Sequence, residues 1–352
     1  MSFKIYINDK RRAIMRGLTR NIGRIVSGSS NNDLTNTNIK KVLVSRPNSR
    51  LGNQLLITPL VQEIIDVFPE CEIDLFVRGQ IAPILFENYK NVNRIIRLPK
   101  KPFKELLKYI KVWFSLKKYS YDMVLNMDKN SSSGRLSTQF ANGRFKFFND
   151  IDEELQAKYD DYEHKAKFPV YNFRNYLIKS GFENIDIDKP IPTLNIKLSD
   201  SEIAKGKEIL DSLTDKNKET IAIYTFATGA KCYSKEWWLP VYDRFCKEYG
   251  KEYNILEVLP VENVSQIDFK APAYYSKDLR EITAFINNTK VFIGADSGMM
   301  HLASAAQTPV VGLFSITDII KYQPYNEGSV AIDTNKSDIE DIIKTIDKIL
   351  GK

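Results

Sequence analysis

The chain has little of what metal and redox chemistry draws on. Its 352 residues include only three cysteines, Cys71, Cys232 and Cys246, and two histidines, His164 and His301. Thiols that are odd in number and widely spaced argue against a disulfide framework and against a zinc site, and two distant histidines do not make a His-based metal centre. No metal and no cofactor are expected. The sequence also lacks any apolar run of roughly 18 residues, the length a membrane-crossing helix needs, and no apolar signal-peptide core opens it. A cytoplasmic location is the expectation. An excess of either charge is missing from most of the chain too. The net charge is +7, but residues 1–40 hold eight basic residues against Asp9 and Asp33, so +6 of it belongs to that segment. The rest shows no basic patch of the kind nucleic acid requires.

The basic segment has a pattern of its own. On a helix from about Asp9 to Val26, Ile14, Leu18, Ile22, Ile25 and Val26 share one face and arginines occupy the others. Such a basic amphipathic helix reads as a membrane-surface anchor over residues 1–26, in preference to a packed helix or a nucleic-acid arm. The polar stretch SGSSNNDLTNTN (residues 27–38) has no apolar period and reads as a tether.

What is present is concentrated in VFIGADSGMMHLASAAQTPVVGLF (residues 291–314). VFIGAD is almost continuously apolar, as a buried parallel strand is, and Asp296 falls at its carboxyl end, where open α/β sheets bind ligands. Ser297 and Gly298 open the next helix, whose first N–H groups and positive dipole end suit a phosphate. His301 lies four residues after Ser297, on the same helix face. The same residues also suit a plain helix cap with a buried core histidine.

A second segment, KKVLVSRPNSRLGNQLLITPLVQEIIDVFPECEIDLFVRG (residues 40–79), gives strand, turn, amphipathic helix and strand. Its turn runs from Arg46 to Asn53, and Gly52 there can let backbone approach a ligand closely. It lacks the spaced glycines of a dinucleotide fingerprint. From there strands near 41–46, 72–78, 94–98 and 123–128 alternate with helices, a Rossmann-like pattern, and the alternation resumes with strands near 220–226, 254–259, 291–295, 309–314 and 329–333. A helix and a proline-bearing connection over residues 165–198 separate the two halves. Three parts follow: a tail and tether over 1–40, a Rossmann-like domain over 41–185, and a second over 186–352 with a closing amphipathic helix near 337–350.

Taken in order, these motifs resemble glycosyltransferase family 9, the ADP-heptose:lipopolysaccharide heptosyltransferases, over most of residues 41–350. The resemblance rests on Arg46, Gly52-Asn53, Leu55-Leu56 and Thr58-Pro59, then on ATGAKCYSKEWW (227–238), then on DSGMMHLASA (296–305) and LFSIT (313–317). It implies a GT-B fold, two doubly wound α/β domains facing a central cleft. The implied activity is inverting, metal-independent sugar transfer from a nucleoside-diphosphate donor, ADP-heptose foremost, to a lipid-linked saccharide of the lipopolysaccharide core, at the inner face of the cytoplasmic membrane.

For the donor, the resemblance implies Thr228, Gly229, Lys235, Glu262, Asp296, Ser297, Gly298 and His301, with Lys235 neutralising the leaving diphosphate. Where family members carry an aspartate as base, this chain has Asn53, and an amide cannot take a proton at neutral pH. Asp128, at the carboxyl end of YDMVLNMD (121–128), is the substitute candidate; it also suits a cap for the helix that follows. Arg46, Gly52, Lys129 and Arg135 fall on the acceptor side, where the cationic side chains suit an anionic sugar. Two other functions stay open: a catalytically silent sugar-nucleotide-binding protein, which Asn53 supports, and a nucleotide-sugar epimerase.

Overall fold

The computed structural model describes residues 38–100 and 104–352, together with Gly17 and Thr19. The expected anchor helix and tether therefore lie outside the described residues, except that Gly17 and Thr19 are helical and Thr19 is buried. The end of the expected tail belongs to the fold. Ile39 is buried, and the Lys40 N–H donates to Asp122 at 2.8 Å.

The chain forms two compact units. The first comprises Met1–Ser49, Pro59–Pro83 and Tyr89–Pro192; the second comprises Arg50–Thr58, Ile84–Asn88 and Thr193–Lys352. Within the first, β1 (Lys41–Arg46), β2 (Glu72–Arg78), β3 (Val92–Leu98), β4 (Ser120–Asn126) and β5 (Asn142–Phe147) pair in the order β3-β2-β1-β4-β5, all parallel. The chain winds outward from β1 to β3 and then returns to place β4 on the other side of β1. That reversal opens a crevice at the carboxyl ends of β1 and β4.

The second unit repeats the plan with β6 (Thr220–Tyr224), β7 (Asn254–Val258), β8 (Ala273–Tyr274), β9 (Val291–Ala295), β10 (Val310–Phe314) and β11 (Val330–Asp333). Their order is β11-β10-β9-β6-β7-β8, again all parallel, so the reversal falls between β6 and β9. Every residue of β6, β9 and β10 is buried, which is why those strands read as unbroken apolar runs: helices cover both faces. Trp238, Val241 and Phe245 of the helix Lys235–Tyr249 meet Ile342, Ile343 and Ile346 of the closing helix Ile339–Leu350 in one core over this sheet. Gly206 lets the helix Asp200–Leu213 lie directly on the helix Leu279–Asn287, since a Cβ there would stand 2.4 Å from the Ala284 backbone.

The single amphipathic helix expected after the Arg46–Asn53 turn is two helices, Leu51–Leu55 and Thr58–Val67. Pro59 has no N–H to continue the first and sits in the opening turn of the second, where that N–H is not needed. The break has a consequence for the site, because the short first helix packs with the second unit.

Candidate active site

The second unit carries the denser set of site residues, and they gather at the β6/β9 reversal. β9 ends at Ala295, and the Asp296 N–H still donates to the Leu313 carbonyl of β10 at 3.0 Å, so the strand register fixes the Asp296 side chain at the mouth of the crevice. Asp296 is 5% exposed. Its carboxylate is paired with the ammonium of Lys231, which closes the short turn Gly229–Lys231 after β6. The ion pair thus spans the reversal, with one partner from the segment that follows each of the two central strands.

Ser297 caps the helix Gly298–Ala305, its hydroxyl accepting from the Met300 N–H at 3.3 Å. The capping role anticipated from sequence is real, and it leaves the helix opening beside Asp296. His301, on the next turn, is almost fully buried, with Nε2 3.9 Å from Asp296 Oδ1. Burial drives its pKa down to about 4; the Asp296 charge opposes this and the Lys231 charge adds to it. The imidazole is therefore neutral at physiological pH, a hydrogen-bonding group and not a cation.

Gly52 explains how the imidazole is held. It lies on the helix Leu51–Leu55, and a Cβ at that position would stand 2.7 Å from His301 Cδ2. A Cβ on Gly298 would in turn stand 3.1 Å from Leu51 Cβ, so glycines on both helices permit the approach. Gly52 and Asn53, expected in the first domain, thus belong with the second unit.

Lys235 stands apart from this cluster. It opens the helix Lys235–Tyr249 and is paired with Asp268, both side chains about half exposed. Asp268 sits on a loop tied down by the fully buried Glu257, whose carboxylate accepts from Thr225 Oγ1 at 2.5 Å and from Ser265 Oγ at 2.7 Å. Ser265 Oγ accepts in turn from the Ile267 and Phe269 N–H groups, both at 3.1 Å. Burial raises the Glu257 pKa against the pull of its two donors. Thr228 and Gly229 are exposed, and a Cβ on Gly229 would meet nothing within 4 Å, so that turn opens on space. Glu262 lies exposed beyond β7; its charge joins burial in raising the Tyr224 phenol.

The first unit mirrors the arrangement at its own reversal. Arg46 ends β1, Asp128 follows β4, and the two form an ion pair across the β1/β4 crevice. Burial works against the Asp128 charge, but the Arg46 guanidinium and the Asn130 N–H at 3.0 Å win and hold its pKa below the ordinary carboxylate value. Ser131, not Asp128, caps the helix Ser132–Phe140. Lys129 lies 5.0 Å over the Phe168 ring. Arg135 is buried and fully engaged: its guanidinium donates to Asp150 at 2.6 and 3.3 Å and to the Thr19 carbonyl at 3.1 Å.

Residues 276–345, which include Asp296, Ser297, Gly298 and His301, match the model of glycosyltransferase family 9 (heptosyltransferase). Over that stretch the chain is similar to the family 9 glycosyltransferases. Among its relatives are lipopolysaccharide heptosyltransferase 3 of Escherichia coli K12, 22% identical over 79% of this chain and 84% of that protein, and lipopolysaccharide heptosyltransferase 1 of Campylobacter coli, 22% identical over 86% and 97%. Similar solved structures include a family 9 glycosyltransferase of Veillonella parvula (TM-score 0.67, 18% identity, 88% of this chain and 97% of that one) and E. coli heptosyltransferase WaaC with ADP (0.63, 15%, 88% and 99%). The fold is GT-B, two Rossmann-like domains, as the motifs implied.

Lys231 is the residue that reading the sequence missed. The Lys-x-Trp pattern drew attention to Lys235, and nothing local marks a lysine whose partner is 65 positions away. The available signal was its place two residues after Gly229, in a turn of small residues at a strand end.

Proposed function

We propose that this protein is a family 9 glycosyltransferase that moves a sugar, heptose or a close relative, from a nucleoside diphosphate to a saccharide of the lipopolysaccharide core or a related surface glycan, with inversion at the anomeric carbon and without a metal. The observation that carries the donor side is the Lys231–Asp296 pair across the β6/β9 reversal, flanked by the Ser297-Gly298 helix opening and a neutral His301. A diphosphate competes with Asp296 for the Lys231 ammonium, while the helix N-terminus supplies N–H donors. Thr228 and Gly229 belong to the turn that Lys231 closes, Lys235 follows it as a second cation for the diphosphate, and Glu262 takes the ribose. The relatives, named as lipopolysaccharide heptosyltransferases, and the ADP carried by one structural neighbour support ADP-heptose as donor.

In the step we assign, an acceptor hydroxyl oxygen attacks the anomeric carbon and its proton passes to the Asp128 carboxylate. The bond from that carbon to the diphosphate oxygen breaks, and the electron pair leaves with the nucleoside diphosphate, whose growing charge Lys231 and Lys235 neutralise. Asn53 orients the hydroxyl. Arg46 and Lys129 meet the acceptor's anionic groups, Gly52 keeps the backbone close, and Arg135 ties the helix after β4 to the segment after β5 through Asp150. Residues 1–26 hold the protein at the inner membrane surface, where a lipid-linked acceptor is presented.

A second reading is a sugar-nucleotide-binding protein without transferase chemistry. It is favoured by Asn53 and by the depressed pKa of Asp128, which weakens that carboxylate as a base. Incubating the protein with ADP-heptose and a heptose-deficient core acceptor, in chelator, separates the two. Transfer that disappears in Asp128→Asn supports the enzyme; donor binding with no transfer supports the silent protein.

A further inference from the structure

The helix Leu106–Lys118 of the first unit has its apolar residues on two sides. Leu116 is buried and Tyr109, Val112 and Trp113 are partly buried in the core over β1, β2 and β4. On the outer side, Leu106, Leu107, Ile110 and Phe114 are 54, 77, 42 and 66% exposed. At 3.6 residues per turn these four fall within an arc of about 100°. They form one ridge, where an ordinary Rossmann helix presents polar side chains. Along the border away from the sheet stand Lys108, Lys111 and Lys118, all exposed. The helix contains no acidic residue, and Glu105 at its start is already paired with Lys108 at 3.2 Å.

We propose that this face docks the protein on an anionic lipid surface, with Leu107 and Phe114 entering the headgroup–acyl boundary and Lys108, Lys111 and Lys118 meeting lipid phosphates. The charge pattern selects this occupant: an apolar ridge bordered by three lysines, with Glu105 beside Lys108 the one carboxylate and none on the helix itself, complements an anionic bilayer. Thirteen residues are too few to cross a bilayer, and among the described residues no helix is long and apolar enough to do so, which leaves the helix lying in the plane. The assignment is separate from the anchor role given to residues 1–26 and depends on neither donor nor acceptor.

The test is co-sedimentation of the full-length protein, without nucleotide, with vesicles of phosphatidylcholine alone or of phosphatidylcholine mixed with phosphatidylglycerol. Binding is expected only to the mixed vesicles, falling with salt. Leu107→Ser/Phe114→Ser and Lys108→Glu/Lys111→Glu should each weaken it by about tenfold or more. In Phe114→Trp, which keeps the ridge apolar, tryptophan emission should shift to the blue on vesicle addition. Unchanged binding by both double variants would overturn the proposal, as would failure of the wild type to bind. Loss confined to deletion of residues 1–36 would also overturn it, assigning docking to the tail. A change of mass by light scattering in Leu107→Ser/Phe114→Ser would instead make the ridge a contact between copies of the chain. Because no sugar nucleotide is present, a failed docking test leaves the transferase reading standing, and the reverse holds.

Discussion

Lys231 pairs with Asp296 across the reversal of the second sheet, joining the turn after β6 to the end of β9. The pair is unequal: the lysine side chain is 39% exposed and the aspartate 6%. A cation that reaches water while neutralising a buried carboxylate is placed to exchange that partner for an incoming anion. Lys231→Ala should therefore cost donor affinity and also leave Asp296 buried without its counter-charge, destabilising the fold by about 1–3 kcal/mol. Adding Asp296→Asn should restore thermal stability but not ADP affinity. A double-mutant cycle by calorimetric melting checks this, and fully additive stability effects would contradict it.

Gly52 should tolerate no side chain. Gly52→Ala puts a methyl 2.7 Å from His301 Cδ2, so either the imidazole or the helix Leu51–Leu55 must move. We expect a stability loss of about 1–3 kcal/mol, as for other overpacked sites, and a larger relative loss of ADP affinity. Titrating ADP against the variant measures the second effect. Unaltered affinity would separate His301 from the donor site.

His301 makes stability depend on pH with a definite sign. Its folded pKa, about 4, lies below the ordinary 6.5, so the unfolded chain takes up the proton first. The contribution is intact above about pH 6.5 and is lost as the pH falls towards 4. Thermal midpoints of the wild type should therefore drop more steeply between these values than those of His301→Gln. Parallel curves would show that the imidazole is not held neutral by its surroundings.

Asp128 remains ionised well into the acid range because Arg46 holds it so. Initial transfer rates should accordingly show no inflection from this group between neutral pH and the ordinary carboxylate range, and Arg46→Gln should bring one in by raising the Asp128 pKa. Asp128→Asn should lower kcat by about a hundredfold or more while leaving donor binding unchanged. A rate that survives the substitution would place the base elsewhere.

The parallel strands were the most legible part of the chain, because burial on both faces makes β9 and β10 continuous apolar runs and puts Asp296 visibly at a strand end. β5 was missed: NGRFKF carries Arg144 and Lys146 on an edge strand and looks like a polar loop. Of the site, Ser297, Gly298 and His301 could be read from spacing alone, since they share one helix with Asp296 just ahead of it. The pairings of Lys231 and Arg135 could not. Their partners, Asp296 and Asp150 with the Thr19 carbonyl, are brought to them by sheet order and by a returning chain, neither of which leaves a local mark.

The most direct test of the donor site is a calorimetric titration of the protein, in chelator, with ADP, UDP, GDP and CMP, repeated with Lys231→Ala and Lys235→Ala. The account expects selective ADP binding that is lost in Lys231→Ala and reduced less in Lys235→Ala. Binding of none of the four nucleotides, or ADP binding unchanged in Lys231→Ala, would contradict a diphosphate site at the β6/β9 reversal.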